Sequence, residues 1–429
     1  MSAIVPSTVA SCVAGSVSAP AAAISPAKLP LELGLRPFRP RLPWLNGDLQ
    51  TVRDSLRPLR LPHDTGVPLE FHVGGGDRLL AIVDQPQPGG RALIGSAFAS
   101  RSVPLGLVVL LHGLGGSSDR EGLRRMGLTL QRAGFAVLRL NMRGAGPGRS
   151  LARGTTAARC NSDLLPALQQ ARQLAEQLAP GGRPLLGMGI SLGGTMLLNA
   201  LLSDAGERRR AGLKPLLDAL VCISSPLDLE ACSRQIERPR NRFYERWLLR
   251  RLLEQTQADP FGLTELERMA LAGQGPGGPI RSIRGFDAAI TTPRWGYSCV
   301  QEYYRQASPL AGLLEQLERP AAQADGLLQR PLLPPTLLVH AADDPWVPVA
   351  ATERLAQACR PGAGAAARQA QPLQVLITPR GGHNGFHACC DPVTGADGCW
   401  GDRLTARWLL RCIEVSAGTA TDRLSSELG

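Results

Sequence analysis

Ser191 lies in Leu185-Leu186-Gly187-Met188-Gly189-Ile190-Ser191-Leu192-Gly193-Gly194, and its hydroxyl is the best candidate nucleophile in the chain. The residues before it form a short apolar run, as a buried strand does, and Thr195 to Leu202 read as a helix. Glycines 189 and 193 flank the serine at two positions on either side. A sharp strand-to-helix turn would drive side chains there into neighbouring backbone, so their absence lets Ser191 hold a strained conformation with its hydroxyl presented. The helix start beyond it offers free N–H groups to a developing negative charge. A bare G-x-S-x-G arises often by chance in a chain with 48 glycines; the strand before it and the helix after it set this one apart.

A serine hydroxyl is weakly nucleophilic at neutral pH, so a base must take its proton. Six histidines are available. His63 and His72 precede the main α/β region, His112 ends a strand before a glycine loop that it would shape, and His340 lies within an apolar strand. His383 and His387 remain, in Gly381-Gly382-His383-Asn384-Gly385-Phe386-His387. His383 follows the last expected strand in a glycine-rich loop and is preferred, with His387 the weaker alternative. An acid that fixes the imidazole tautomer should follow the preceding strand, where Ala342-Asp343-Asp344-Pro345 supplies two. Pro345 fixes the turn after Asp344, which favours Asp344 and leaves Asp343 to satisfy backbone. The oxyanion of a tetrahedral intermediate needs two donors. The N–H of Leu192 is one by position, and that of Leu114, in the loop after the first parallel strand, is the other. The order Ser191, Asp344, His383 is the α/β-hydrolase order.

Positioning these groups takes a parallel sheet. Leu107–Leu111, Phe135–Leu140, Leu185–Ile190, Ala219–Ser224, Thr336–His340 and Leu373–Ile377 are continuous apolar runs, as strands buried on both faces should be. Helical stretches separate them, at about 120–133 and 162–178, the second capped by Asn161 or Ser162. The fold class expected is α/β, a mostly parallel doubly wound sheet. Edge strands with a Gly74-Gly75-Gly76-Asp77 turn precede it, between 69 and 84. The stretch 37–51 is proline-punctuated and should run extended over the body, anchored by Phe38 and Trp44. The α/β rhythm breaks between 229 and 333, a segment far longer than an ordinary connection. It reads as a helical cap insertion, in which Phe243, Trp247, Leu248 and Leu252 give residues 242–255 one apolar face. The segments are thus 1–30 as a disordered extension, 31–228 and 334–415 as the two parts of the core, 229–333 as the cap, and 416–429 as a frayed tail.

Composition narrows the partners. Net charge is +11, but only Lys28 and Lys214 are lysines among the 47 basic residues. The arginines are scattered beside acids and prolines with no nucleic-acid-binding motif, so arginine-biased composition explains them better than a nucleic-acid surface. The ten cysteines show no metal-ligand spacing, and free thiols in a reducing compartment are the reading, with a disulfide among Cys389, Cys390 and Cys399 the minority one. No run of eighteen apolar residues suggests a spanning helix. The first 27 residues carry no charge and lack the basic and apolar regions of a secretory signal, and a plastid-type transit peptide is a weaker reading. The expected location is cytoplasmic, with peripheral membrane contact through the basic cap helix as an option.

Several further motifs resemble those of the YheT-type branch of the α/β-hydrolase superfamily, which includes embryogenesis-associated proteins and abhydrolase-domain lipases. Asn46-Gly47-Asp48-Leu49-Gln50-Thr51 resembles its N-terminal N-x-H-L-Q-T, with Asp48 in place of the histidine. His112-Gly113-Leu114 resembles the oxyanion loop, and Asn141-Met142-Arg143-Gly144-Ala145-Gly146 its N-x-R-G-x-G. Phe286-Asp287 to Pro293, Gln301 to Ser308, Asp343-Asp344-Pro345 and Gly381-Gly382-His383 complete the set. The resemblance runs from about Pro37 to Trp408. It implies the same triad, a carboxylic-ester or lipid substrate, and no metal or organic cofactor. A non-catalytic binding protein that uses the cap as its surface is the alternative of a different class. Oligomeric state and acyl-chain length are not legible.

Overall fold

Five-residue runs such as Leu107–Leu111 have no polar side to show water, so they must lie in a sheet covered on both faces. The computed structural model, which describes residues 28–87, 103–211, 213, 215–318, 333–359, 373–392 and 398–427, builds them so. The strands are β1 (Val67–Gly74), β2 (Asp77–Asp84), β3 (Leu107–Leu111), β4 (Ala136–Leu140), β5 (Leu185–Ile190), β6 (Ala219–Ile223), β7 (Thr336–Ala341) and β8 (Leu373–Thr378). They form one eight-stranded sheet in the order β1-β2-β4-β3-β5-β6-β7-β8. The β1–β2 and β2–β4 pairs are antiparallel and all others parallel. The hairpin between β1 and β2 turns at Gly75 and Gly76, whose φ of 60° and 83° other residues adopt at a cost.

One face of the sheet packs on helices Asn161–Gln177 and Leu192–Arg210, through Leu164, Leu168 and Leu197. The other packs on Glu121–Arg132 and on Trp400–Glu427, through Met126, Leu130, Trp400 and Trp408. The last helix continues past residue 415, where the sequence suggested a frayed tail; the stretch 416–427 lacks Pro and holds one Gly, and polar composition alone does not end a helix. The helix at 161–177 begins after Cys160 with no capping side chain; Asn161 is its first residue, one place too late to cap it, and its side-chain N–H donates to the Ser203 hydroxyl at 2.9 Å. The expected extension covers residues 1–30; residues 1–27 lie outside the described residues, and a short helix, Leu29–Glu32, buries Leu29 against the second helical layer.

The segment 37–51 crosses the body as expected only in its first half. Phe38 packs edge-on to Phe386 and Trp400, with ring centroids 5.8 and 5.3 Å apart, and Pro40 pairs with Ala388. From Gly47 it becomes a helix, Gly47–Leu56, because the Asn46 side chain accepts from the Leu49 N–H at 2.9 Å and starts it. Two of the arginines are paired beneath this segment. Arg125 is buried between Asp54 and Asp402, at 2.6 Å from each, and Arg139 bonds Asp84 and Asp64 at 2.7 Å.

Between β6 and β7 the chain leaves the sheet and forms helices Leu229–Ile236, Arg242–Gln257, Glu265–Leu271, Val300–Ala307 and Leu310–Glu318. The last belongs with the body, since Leu313 is fully buried in the main core and Gly312 lies against Leu202. In helix Arg242–Gln257 the buried face is Leu248, Leu249 and Leu252, while Phe243 and Trp247, expected beside them, are 83% and 48% exposed. Hydrophobic spacing marks two apolar flanks on this helix; Leu249 and Leu252 are covered by Ala270, Phe286 and Ile290 of the neighbouring cap segments, while Trp247 meets the rim of the body at Trp346. Among the described residues no helix is long and apolar enough to cross a membrane.

Candidate active site

Ser191 follows β5 and precedes helix Leu192–Arg210, and its φ is +53°, a left-handed conformation rare for a residue with a side chain. The glycines around it make that turn feasible. A Cβ at 189 would stand 2.3 Å from the Gly194 nitrogen, and one at 193 would stand 2.5 Å from the Leu111 carbonyl oxygen. Both are far below van der Waals contact, so only glycine fits.

His383 Nε2 lies 2.9 Å from Ser191 Oγ, and His383 Nδ1 lies 2.9 Å from Asp344 Oδ2. An ionised carboxylate only accepts, so Nδ1 carries the proton and Nε2 is left to accept the serine's. The other Asp344 oxygen accepts from the N–H groups of Trp346 and Val347 at 2.8 and 3.0 Å. Burial would raise the Asp344 pKa, but the His383 ring and the other donors around the carboxylate hold it below the usual carboxylate range. Asp343 accepts from the Gly382 N–H at 2.9 Å, the backbone role expected of it. His387, the alternative base, faces Asp54 at 3.2 Å and makes no bond to Ser191. His340 is buried in β7, bonded to the Val347 carbonyl at 3.1 Å.

The loop after β3 lies against the serine: a Cβ on Gly113 would come within 3.0 Å of Ser191 Cβ. His112 shapes this loop. Its Nε2 accepts from the Met142 N–H at 3.2 Å, so Nδ1 carries the proton and donates to the Gly113 carbonyl at 2.8 Å. Burial lowers the His112 pKa and keeps this neutral tautomer. Asn141 braces the same loop by accepting from the Ser118 N–H at 2.8 Å. Leu192 opens its helix, so its N–H has no intrahelical acceptor, and Leu114 lines the same cavity as Ser191.

Two residues that sequence reasoning assigned no role hold the histidine loop. The Thr51 hydroxyl accepts from the His383 N–H at 2.8 Å and donates to the Gly47 carbonyl at 2.6 Å. Gln50 is buried, donates to the Trp44 and His387 carbonyls, and accepts from the His387 N–H at 2.8 Å. The loop's glycines make room for this helix, since a Cβ at 382 would meet the Gly47 oxygen at 2.3 Å. The Leu-Gln-Thr of the N-terminal motif was the available signal. Asp48, the departure from that motif, joins the arm to the cap: it accepts from Tyr244 at 3.2 Å and from Arg240 at 2.8 Å. Tyr244 packs edge-on to Trp346, and Trp346 stacks on His383 with centroids 4.4 Å apart.

The serine opens into a cavity of about 370 Å³. Leu114 and Ile190 line it from the body, and Leu248, Leu252, Phe286, Asp287 and Tyr304 from the helices between β6 and β7. A second hollow of about 500 Å³ holds none of the groups above, and much of its wall is paired charge, including Arg143–Asp163 and Arg294–Glu267.

A family model described as alpha/beta hydrolase fold matches residues 106–387, from β3 through the histidine loop. Among curated proteins, the putative esterase YheT of Escherichia coli is 31% identical over 175 residues, covering 39% of this chain and 42% of that protein. Phospholipase ABHD3 of Mus musculus is 27% identical over 283 residues, covering 65% and 58%. Medium-chain fatty acid ethyl ester synthase/esterase 2 of Saccharomyces cerevisiae is 28% identical over 274 residues, covering 58% and 53%. The chain thus spans about half the length of these relatives. Among solved structures, a soluble variant of monoglyceride lipase from Saccharomyces cerevisiae aligns with a TM-score of 0.47 at 16% identity, covering 83% of this chain and 99% of that one.

Proposed function

The chain belongs to the α/β-hydrolase fold family, and from that premise we propose that it is a serine hydrolase of carboxylic esters, with Ser191, His383 and Asp344 as its triad. The carrying observation is the unbroken row of hydrogen bonds Ser191–His383–Asp344, both links at 2.9 Å, at the mouth of a largely apolar cavity. Ser191 Oγ attacks the ester carbonyl while His383 Nε2 takes its proton. The tetrahedral oxyanion is held by the N–H groups of Leu192 and Leu114. The imidazolium, steadied by Asp344, then protonates the departing alcohol and leaves an acyl group on Ser191. Water, deprotonated by the same imidazole, releases the acid and restores the serine. The names of the esterase and phospholipase relatives favour a fatty-acyl ester. Labelling by a fluorophosphonate that disappears in Ser191→Ala is the expected result. Labelling that persists in the variant would overturn the assignment of the nucleophile.

A lipid surface as the source of substrate is a second proposal, favoured by the exposed Phe243 and Trp247 beside the exposed Arg250 on one cap helix. Binding to anionic vesicles that weakens with salt and with Phe243→Ser is expected; equal binding to neutral vesicles would count against it.

A further inference from the structure

The cavity is not uniformly apolar. On the cap side the helix beginning at Ile283 widens into a π-helical turn, Asp287–Thr291, just ahead of Pro293, which has no N–H to give. Such turns are rare and recur at functional sites. This one brings the Asp287 carboxylate to the cavity wall, where its two oxygens accept from the Tyr304 and Thr291 hydroxyls at 2.8 Å each. Burial pushes the Asp287 carboxyl up to about 6, against the hydroxyls that favour its ionised form. Beside Tyr304 lies Ser233, on the first cap helix. It also lines the cavity and is 5% exposed, and its hydroxyl has the Tyr304 hydroxyl within reach but in a geometry too poor for a full hydrogen bond. A buried hydroxyl left unpaired is costly, and a hydrogen-bonded partner would remove that cost.

Resting on the hydrolase reading above, we propose that Asp287, Tyr304 and Ser233 form a hydrogen-bonding subsite for a hydroxyl group of the substrate. A hydroxyl both donates and accepts, which fits a carboxylate with lone pairs to spare beside an unsatisfied serine. A cationic group fits worse, because Arg284 already lies close enough to lower the Asp287 pKa and stacks over the Tyr304 ring at 5.4 Å. The rest of the wall, with Leu114, Leu248, Leu252 and Phe286, suits an acyl chain. The preferred substrate is therefore an ester that carries a free hydroxyl, either on its alcohol or along its acyl chain. A site built to bond a hydroxyl rejects an analogue that lacks one.

The test compares matched esters on the full chain. Glyceryl monodecanoate is set against propyl decanoate, and ethyl 10-hydroxydecanoate against ethyl decanoate, for wild type, Ser233→Ala and Asp287→Asn. Wild type should favour the hydroxylated member of one pair by about tenfold or more in kcat/KM, and the pair that shows it locates the hydroxyl. Both variants should erase most of that preference, bringing the kcat/KM values of the two members of the pair close together. Equal preference in wild type and variants, or equal loss on both members of a pair, would overturn the subsite and leave the hydrolase reading standing. A wild type inert towards all four esters and towards fluorophosphonate would sink both.

Discussion

The sheet body and the helices over it hold their groups in different ways. In the body each reacting group is fixed several times over. Ser191 is bent by its glycines, Asp344 accepts three hydrogen bonds, and His383 is held by Asp344, Thr51 and the face of Trp346. The cap meets the body through scattered bonds, such as Asp48 to Tyr244 and Arg240, Tyr303 to the Ala158 N–H and Asn241 to the Pro345 carbonyl, and through an apolar cluster that joins Ala157 and Ala158 to Leu229 and Tyr303. The body carries the proposed triad, and the cap supplies much of the cavity wall. Chemistry should therefore be sensitive to body substitutions, and selectivity to cap substitutions.

The largest effect expected is in the body. Asp344→Asn keeps the shape of the turn but removes the acceptor that fixes the imidazole tautomer, so kcat should fall by about 10⁴ with KM little changed, read by steady-state hydrolysis of a p-nitrophenyl ester. Next is Gly113→Ala, whose methyl would stand about 3.0 Å from Ser191 Cβ and displace the oxyanion loop; loss of a donor there costs roughly 100-fold in kcat. Thr51→Val removes the acceptor for the His383 N–H, and kcat should drop about tenfold while the melting temperature moves by only a few degrees. A comparable loss from any cap substitution remote from the cavity would erase the distinction between the two regions.

Acidification should act with opposite sign on three buried histidines of the body and on Asp287 of the cap. Burial lowers the pKa of His112, of His340 and of His387 in the body. Each contributes stability that is complete above the ordinary histidine value and lost as pH falls below it through the folded value. Asp287 in the cap is the reverse: its raised carboxyl favours the protonated form, so its contribution weakens as pH rises from the ordinary carboxylate range through about 6. Hydrogen exchange at pH 7.5 and pH 5 should show lost protection around residues 112, 340 and 387 and gained protection at 287–291. The smallest effect is Asp48→Asn. The Asp48–Arg240 pair is about half exposed on each side, so about 1 kcal/mol or less of cap seating is at stake. A shift in KM of a few-fold, shrinking at high salt, is expected.

Much of the body was legible because strands buried on both faces must be apolar throughout, and the turns that follow them are where chemistry sits. Leu107–Leu111 and Leu185–Ile190 are found by that rule alone. Ser191, Asp344 and His383 come together as their positions at strand ends suggested. The arm was harder. Gln50 and Thr51 act on residues more than 300 positions away, and no local pattern encodes such a bond. The helix at Gly47–Leu56 was signalled by Asn46, hidden among prolines. In the cap, Phe243 and Trp247 share the spacing of Leu248 and Leu252, and only tertiary packing against Ala270, Phe286 and Ile290 decides which flank is covered.

The Thr51 bond also has a meaning in time. A ribosome delivers Ser191 long before the loop at 381–387, and until that loop arrives the serine lacks its hydrogen bond to His383. When it does arrive, its seat on Gln50 and Thr51 comes from the other end of the described chain. On the proposed triad, turnover requires that both ends have met, so it would report that folding is complete.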